Sequence, residues 1–448
     1  MKKEITFDDI EKFSHAFDEN PKNKLALDSV TQSGIASTAL NRDVVNRSTH
    51  VYSHCIETPE ATEQGNTGRC WLFAGLNALR LAAIKNMNMK MKNFELSEPY
   101  AMFWDKLEKA NYFLETIIET RDEPLDGRLL HSLLSDPLPD GGQWNMFVNI
   151  IKKYGIVPKT AMPETFNSRN SDPMNNILIK KLREFAKELR RIYEIENSVD
   201  SMREEKNDMM KDIYKMIAIH LGRPPSSFTW EWEDKRKRFH RYKNITPRKF
   251  FHQFVGFDLD DMVCLINAPT RDKPFNKLYT VKYLGNVVNG DIIKYLNVDM
   301  EIMKKAAVDM IVHKKPVWFG CDVGKMLEYN SGILDTEIYE HELVYGVKFK
   351  SSKADRLDYG HSRMTHAMVF TGVNLSGTKP LKWRIENSWG TEYGDKGYMM
   401  MTNKWFEEFV FEVVVSKRFL PRSLLPVLKT KPVVLDPWDP MGSLAKSA

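Results

Sequence analysis

The chain has 448 residues with 65 basic and 60 acidic side chains, a formal charge of +5 that argues against a partner held by overall charge alone. Its 42% hydrophobic and 11% aromatic content excludes a disordered chain, and its length exceeds what one core fills, so a core plus a sizeable subdomain is expected. Nothing approaches the roughly 18 apolar residues of a membrane span, and Met1-Lys2-Lys3-Glu4-Ile5-Thr6-Phe7 lacks the apolar stretch of an export signal. Cys55, Cys70, Cys264 and Cys321 show neither CxxC spacing nor dense pairing, which argues against a zinc cluster or disulfide framework and fits a reducing cytoplasm.

Along the chain, residues 1–60 open with Thr6-Phe7-Asp8-Asp9-Ile10, a cap-like start, and continue as a polar stretch with few strong signals. The first block that carries chemistry is Gln64-Gly65-Asn66-Thr67-Gly68-Arg69-Cys70-Trp71, followed by the apolar run Leu72-Phe73-Ala74-Gly75-Leu76-Asn77-Ala78-Leu79. That order predicts a helix starting at Cys70. A thiol there meets unpaired backbone N–H groups and the positive end of the helix dipole, which favour the thiolate at neutral pH. Gln64 can aim a side-chain amide at the same point, so that it and the Cys70 N–H form an oxyanion hole for acyl transfer. A cysteine by itself is more often a buried structural residue.

Ser97-Glu98-Pro99 starts a helix that continues through Lys109. Asp140-Gly141-Gly142-Gln143-Trp144-Asn145-Met146-Phe147, with Tyr154-Gly155-Ile156 beyond it, puts a glycine pair where another backbone can approach closely, an ordinary loop being the alternative. Between Asn175 and His220, Ile177, Leu178, Leu182, Phe185, Leu189, Ile192 and Ile195 recur at three- and four-residue steps, predicting long amphipathic helices that end at Leu221-Gly222-Arg223-Pro224-Pro225. The segment Lys235-Arg236-Lys237-Arg238-Phe239-His240-Arg241-Tyr242-Lys243 reads first as a solvated helix face. Its cations and rings also suit phosphates and bases, so nucleic-acid binding is the rival function from another class.

Phe349 to Asp358 reads as a charged loop. Thr365-His366-Ala367-Met368-Val369-Phe370-Thr371-Gly372-Val373 then reads as a buried strand, and Lys382-Trp383-Arg384-Ile385-Glu386-Asn387 as a short strand stopping at Asn387-Ser388-Trp389-Gly390. If the two pair, the Asn387 carbonyl can accept from one ring nitrogen of His366, leaving the other to face the sulfur while Trp389 shields the bond. Taken singly these are a core histidine and a turn; with the cysteine block, those readings require three coincidences in the right order.

Gln64, Cys70, His366 and Asn387 in that order resemble the papain-like cysteine peptidases, whose catalytic group is Cys-His-Asn. Two departures stand out. Thr67 replaces the cysteine expected three residues before the nucleophile, and the histidine lies about 300 residues downstream rather than roughly 130–150, which implies an insertion of roughly 150 residues. The resemblance implies an α+β fold with a papain-like two-lobed core. Its parts would be an N-terminal segment (1–60), a helical lobe with the nucleophile (61–164), a mostly helical, oligomerising insertion (165–350), a β-barrel-like lobe with His366 and Asn387 (351–425) and a C-terminal arm in the cleft (426–448).

Gly68-Arg69-Cys70-Trp71-Leu72-Phe73-Ala74, the long insertion and Trp438-Asp439-Pro440-Met441-Gly442-Ser443-Leu444-Ala445 resemble, more narrowly, the bleomycin hydrolase and aminopeptidase C family. That implies a cytoplasmic homohexamer that removes amino acids one at a time from free peptide amino termini, with no metal or organic cofactor and no membrane, around an internal chamber that the basic residues 235–243 can line to attract acidic peptides. It implies Cys70, His366 and Asn387 as catalytic residues, Gln64 in the oxyanion hole, Gly142 as a backbone partner of substrate, and the terminal carboxylate opposite the substrate's α-ammonium. A filled groove counts residues, and an anion in it penalises a blocked amino terminus. Pro432, Pro437 and Pro440 stiffen the arm, and Val433-Val434-Leu435 and Trp438 are apolar enough to dock. Relatives tend to finish at Leu-Ala, whereas Lys446-Ser447-Ala448 follow here, so the carboxylate belongs to Ala445 after trimming or to Ala448 in an arm arranged differently. An unseated arm would leave a papain-like endopeptidase.

Overall fold

Residues 4–91 and 94–445 are described in a computed structural model. Lys446-Ser447-Ala448, and with them an Ala448 carboxylate, lie outside the described residues. Thr6 and Asp9 form a capping box at the helix Phe7–Asp18, and Ser97 caps Glu98–Glu119 by accepting the Tyr100 N–H at 3.1 Å. The apolar stripe from Ile177 to Ile195 lies on the helix Asp172–Glu196, which pairs with Val199–Leu221, and Gly222 ends the second helix at φ 80°, a conformation that favours glycine.

Among the described residues, twelve strands form one mixed sheet. Its order is Val433–Leu435, Lys277–Val281, Tyr295–Asn297, Met262–Ile266, Val410–Ser416, Val317–Cys321, His366–Ser376, Lys379–Glu386, Tyr398–Thr402, Ile333–Leu334 and Leu327–Glu328, with His54–Cys55 also paired to the His366 strand. Alternate residues of its central strands feed two cores, as the two-residue period of a strand requires. Ala367, Val369, Val414, Cys264 and Ile266 join the core that holds the Cys70 helix, whereas Met368, Phe370, Val413, Val263 and Leu265 join a second core with the helix Met300–Val312.

Three expectations change. Residues 165–350 are not mostly helical: beyond Leu221 they supply a hairpin and then strands of the main sheet, with Val317–Cys321 paired directly to the His366 strand. Short apolar runs such as Met262-Val263-Cys264-Leu265-Ile266 have no polar alternation because both faces are buried, so periodicity alone does not separate them from buried helix. The basic segment is a hairpin arm, Phe239–Ile245 paired to Phe228–Glu233, rather than a helix face; Trp230 opposes Tyr242 and Trp232 opposes His240. Asp234 organises its turn by accepting from the Arg236 and Arg238 N–H groups at 2.8 and 3.0 Å. Finally, Lys353–Asp358 is a short helix with a Ser352–Asp355 capping box, within the stretch that reads from sequence as a charged loop.

Candidate active site

Cys70 is the first residue of the helix Cys70–Asn86 and is fully buried. Arg69 at the N-cap supplies no side-chain cap bond. Its buried guanidinium instead ties the preceding loop together, donating to Gln64 O and Thr67 Oγ1, each at 3.1 Å, and pairing with Glu164 at 3.3 Å. The Gln64 amide is held at both ends: Nε2 donates to Thr67 O at 2.6 Å and Oε1 accepts from Ser388 Oγ at 2.7 Å. Because the Gln64 N–H also donates to Ser388 O at 2.8 Å, the loop before Cys70 is stitched to the residues that follow Asn387.

The strands carrying His366 and Asn387 pair antiparallel, Val369 opposite Glu386. At their ends the ring and carboxamide meet, with His366 Nε2 and Asn387 Oδ1 2.8 Å apart. Asn387 Oδ1 also accepts the Ser388 N–H at 2.8 Å. Nδ1 of His366 is buried and finds no hydrogen-bond partner among the described residues. Trp389 lies over the imidazole with ring centroids 4.9 Å apart and is itself backed by Tyr329. The Cys70 helix packs on the His366 strand, and the Trp318 indole donates to Trp71 O at 3.2 Å from the neighbouring strand Val317–Cys321. Burial, then the charges of Asp322 and Cys70, push the Cys321 thiol up, so Cys70 is within electrostatic reach of the residue paired with His366.

Burial pushes His366 down to about 4, opposed by the bond to Asn387. An imidazolium at this place therefore needs an adjacent anion, and a thiolate is one. The buried Arg80–Glu386 pair runs between the Cys70 helix and the residue before Asn387, holding the two halves of the site in register.

The arm enters this region. Val433–Leu435 pairs in parallel with Lys277–Val281, and Asp439 pairs with the buried Lys273 at 2.9 Å. Val433, Val434 and Trp438 stay partly exposed, so backbone pairing and an Arg128 guanidinium 3.9 Å above Trp438 dock this stretch rather than apolar burial. Farther on, Ser443 Oγ donates to Met364 O at 2.7 Å and Gln143 Nε2 donates to Ser443 O at 2.7 Å. The Gly142 N–H donates to Ala445 O at 3.2 Å, and Ala445 is fully buried. Gly142 is required on its other side too: a Cβ there would sit 2.5 Å from the Trp71 indole.

Sequence reasoning missed Ser388, Arg69 with Glu164, and Asp140. Ser388 follows Asn387 and Asp140 precedes the glycine pair, so adjacency was the available signal. No local pattern pointed to Glu164.

A profile of the Peptidase C1-like family matches residues 4–442. Aminopeptidase C of Listeria monocytogenes is 46% identical over 445 residues, covering 99% of this chain and 100% of that one. Bleomycin hydrolase of Homo sapiens is 42% identical over 437 residues, covering 95% and 96%. The crystal structure of PepW from Lactobacillus rhamnosis matches with a TM-score of 0.97 at 44% identity, covering 99% of this chain and 100% of that one. The chain has the papain-like fold with its large mixed sheet, and it belongs to the Peptidase C1-like family, in the group that includes aminopeptidase C and bleomycin hydrolase.

Proposed function

We propose that this chain is a cysteine aminopeptidase that releases amino-terminal residues from peptides through a thioester on Cys70, in a cleft closed by its own C-terminal arm. In the resting pair a proton passes from the Cys70 thiol to His366 Nδ1, and each charge offsets the desolvation of the other. The thiolate adds to the first peptide carbonyl. The Cys70 N–H and the Gln64 amide, whose position Thr67 and Ser388 maintain, receive the oxyanion. Collapse breaks the C–N bond, and His366 gives its proton to the departing amine. The neutral ring then takes a proton from water as the hydroxyl attacks the thioester, and returns it to the sulfur when the free amino acid leaves. Asn387 and Trp389 keep the ring oriented throughout.

The observation that carries the exopeptidase reading is the Gly142–Ala445 backbone bond. It occupies the strand-like contact a longer peptide would use upstream of the scissile bond, leaving room for a short amino-terminal portion. A carboxylate at the end of the arm, from Ala445 after trimming or from Ala448, then attracts the substrate ammonium. The names of the relatives, aminopeptidase C and bleomycin hydrolase, support the same activity. Digestion of matched free and acetylated peptides, with mass spectrometry of the mature carboxyl terminus, tests it. Stepwise loss from the free peptide alone is expected, and rapid cleavage of the acetylated one rejects it in favour of an endopeptidase.

The proposal extends to a cytoplasmic homohexamer. Phe7, Ile10, Phe13 and Phe17 line the helix Phe7–Asp18 and are all exposed in the single chain, which supports assembly through this face. Light scattering measures the mass, and a monomer would reject it.

A further inference from the structure

The loop that presents Cys70 is held from outside itself, and two of its anchors, at Gly68 and Trp71, meet at one residue, Asp140. Asp140 Oδ2 accepts from the Gly68 N–H at 3.1 Å and from Ser171 Oγ. Oδ1 accepts from Asn175 Nδ2 at 2.7 Å and pairs with Lys106 Nζ at 2.5 Å. The carbonyl oxygen of the same residue accepts from the Trp71 indole at 2.8 Å. Asp140 thus grips the chain two residues before Cys70 and one residue after it. It also lies two residues from Gly142, whose N–H meets the arm.

The other donors come from elsewhere in the chain. Ser171 and Asn175 open the helix Asp172–Glu196, and the segment leading into it braces the same loop: Arg169 O accepts the Asn66 N–H at 2.9 Å, and Glu164 pairs with Arg69. A Cβ on Gly65 would fall 2.6 Å from Arg169 O, so the two backbones are in close contact. Burial raises the cost of the Asp140 charge, yet Lys106 and the surrounding donors hold its carboxyl well below the usual range.

We infer that Asp140 is a positioning residue for the reaction: its carboxylate sets the nucleophile loop, the glycine that binds peptide backbone and the start of the inserted helices in one register. The inference rests on Cys70 being the nucleophile. An asparagine cannot substitute for the carboxylate, because its NH2 must face an obligate donor, either the Gly68 N–H or the Lys106 ammonium. The loop then loosens, the N–H groups around the sulfur lose their alignment, and the thiolate is less favoured.

The test compares Asp140→Asn, Ser171→Ala and Asn175→Ala with the wild type. The readouts are the pH profile of Cys70 alkylation by iodoacetamide, with the labelled cysteine located by mass spectrometry, and kcat and KM on an aminoacyl fluorogenic substrate. Asp140→Asn is expected to slow alkylation about tenfold or more, to move its inflection up by about one pH unit against the downward shift that loss of the carboxylate charge alone would give, and to lower kcat more than it raises KM. Asn175→Ala is expected to move the profile partway in the same direction. Lower thermal stability with a wild-type alkylation profile would make Asp140 merely structural and overturn the inference. If Asp140→Asn does not fold, the other two decide: a shifted profile in Asn175→Ala upholds it, and wild-type profiles in both refute it. Wild-type label on Cys55, Cys264 or Cys321 instead of Cys70 would break the underlying reading and take this inference with it.

Discussion

In the proposed mechanism, replacing Asn387 by alanine isolates the bond that orients the base. Asn387 Oδ1 accepts from His366 and from the Ser388 N–H, each at 2.8 Å, in a region where all three residues are buried. Each orphaned donor costs about 1–3 kcal/mol. Only the His366 bond bears on the barrier, and losing about 1.4–2.8 kcal/mol there corresponds to roughly 10–100-fold in kcat/KM. The Ser388 bond shows up as stability instead. The sign with pH also follows: burial already pushes His366 down to about 4 and the Asn387 bond opposes it, so removing the bond makes the imidazolium rarer. The Cys70 thiolate that depends on it must then titrate at higher pH. Steady-state kinetics on an aminoacyl fluorogenic substrate from pH 5 to 9 reads both effects. His366→Ala removes the base itself and is expected to cost about 10³-fold or more. Equal losses in the two variants, or wild-type kcat/KM in Asn387→Ala, would refute the orienting role.

Cys70→Ala is expected to abolish turnover while leaving the circular dichroism spectrum and assembly unchanged, and substantial residual activity would contradict the thioester route. Glu386→Ala strands the buried Arg80 guanidinium, so urea unfolding should show a loss of about 3–5 kcal/mol, with much of it recovered in Arg80→Met/Glu386→Leu. Glu412 is held protonated by burial, pushed up to about 8 from 4.5. Between those values the unfolded chain sheds a proton the folded chain keeps, so wild-type stability falls as pH rises through this window. Glu412→Gln should therefore gain on the wild type from pH 5 to 8, by on the order of 3 kcal/mol at pH 7; parallel urea midpoints would show the carboxyl ionises freely. Gly142→Ala drives a methyl toward the Trp71 ring and should cost about 1–3 kcal/mol, read as reduced kcat/KM on free-amine substrates. An unchanged value would mean the arm and Trp71 do not need that contact.

Local signals carried far in some places. The Cys70 helix start, the cap at Ser97 and the two long helices after residue 171 are written in neighbouring residues, because capping and amphipathic periodicity act within one or two turns. They failed where both faces of an element are buried, as in Val317–Cys321, and where cross-strand pairing overrides composition, as in the basic hairpin.

From its own residues the chain determined which groups could do chemistry, a thiol at a helix start, an imidazole entering a strand and a carboxamide at the end of another, because those are properties of short segments. Only the tertiary structure decided that His366 and Asn387 meet at 2.8 Å, that Gln64 is held by Ser388, and that Ala445 reaches Gly142. These contacts join residues far apart in the chain, and their geometry is fixed by strand register and by charges such as the mostly covered Asp140 and the buried Arg80, which no local pattern encodes.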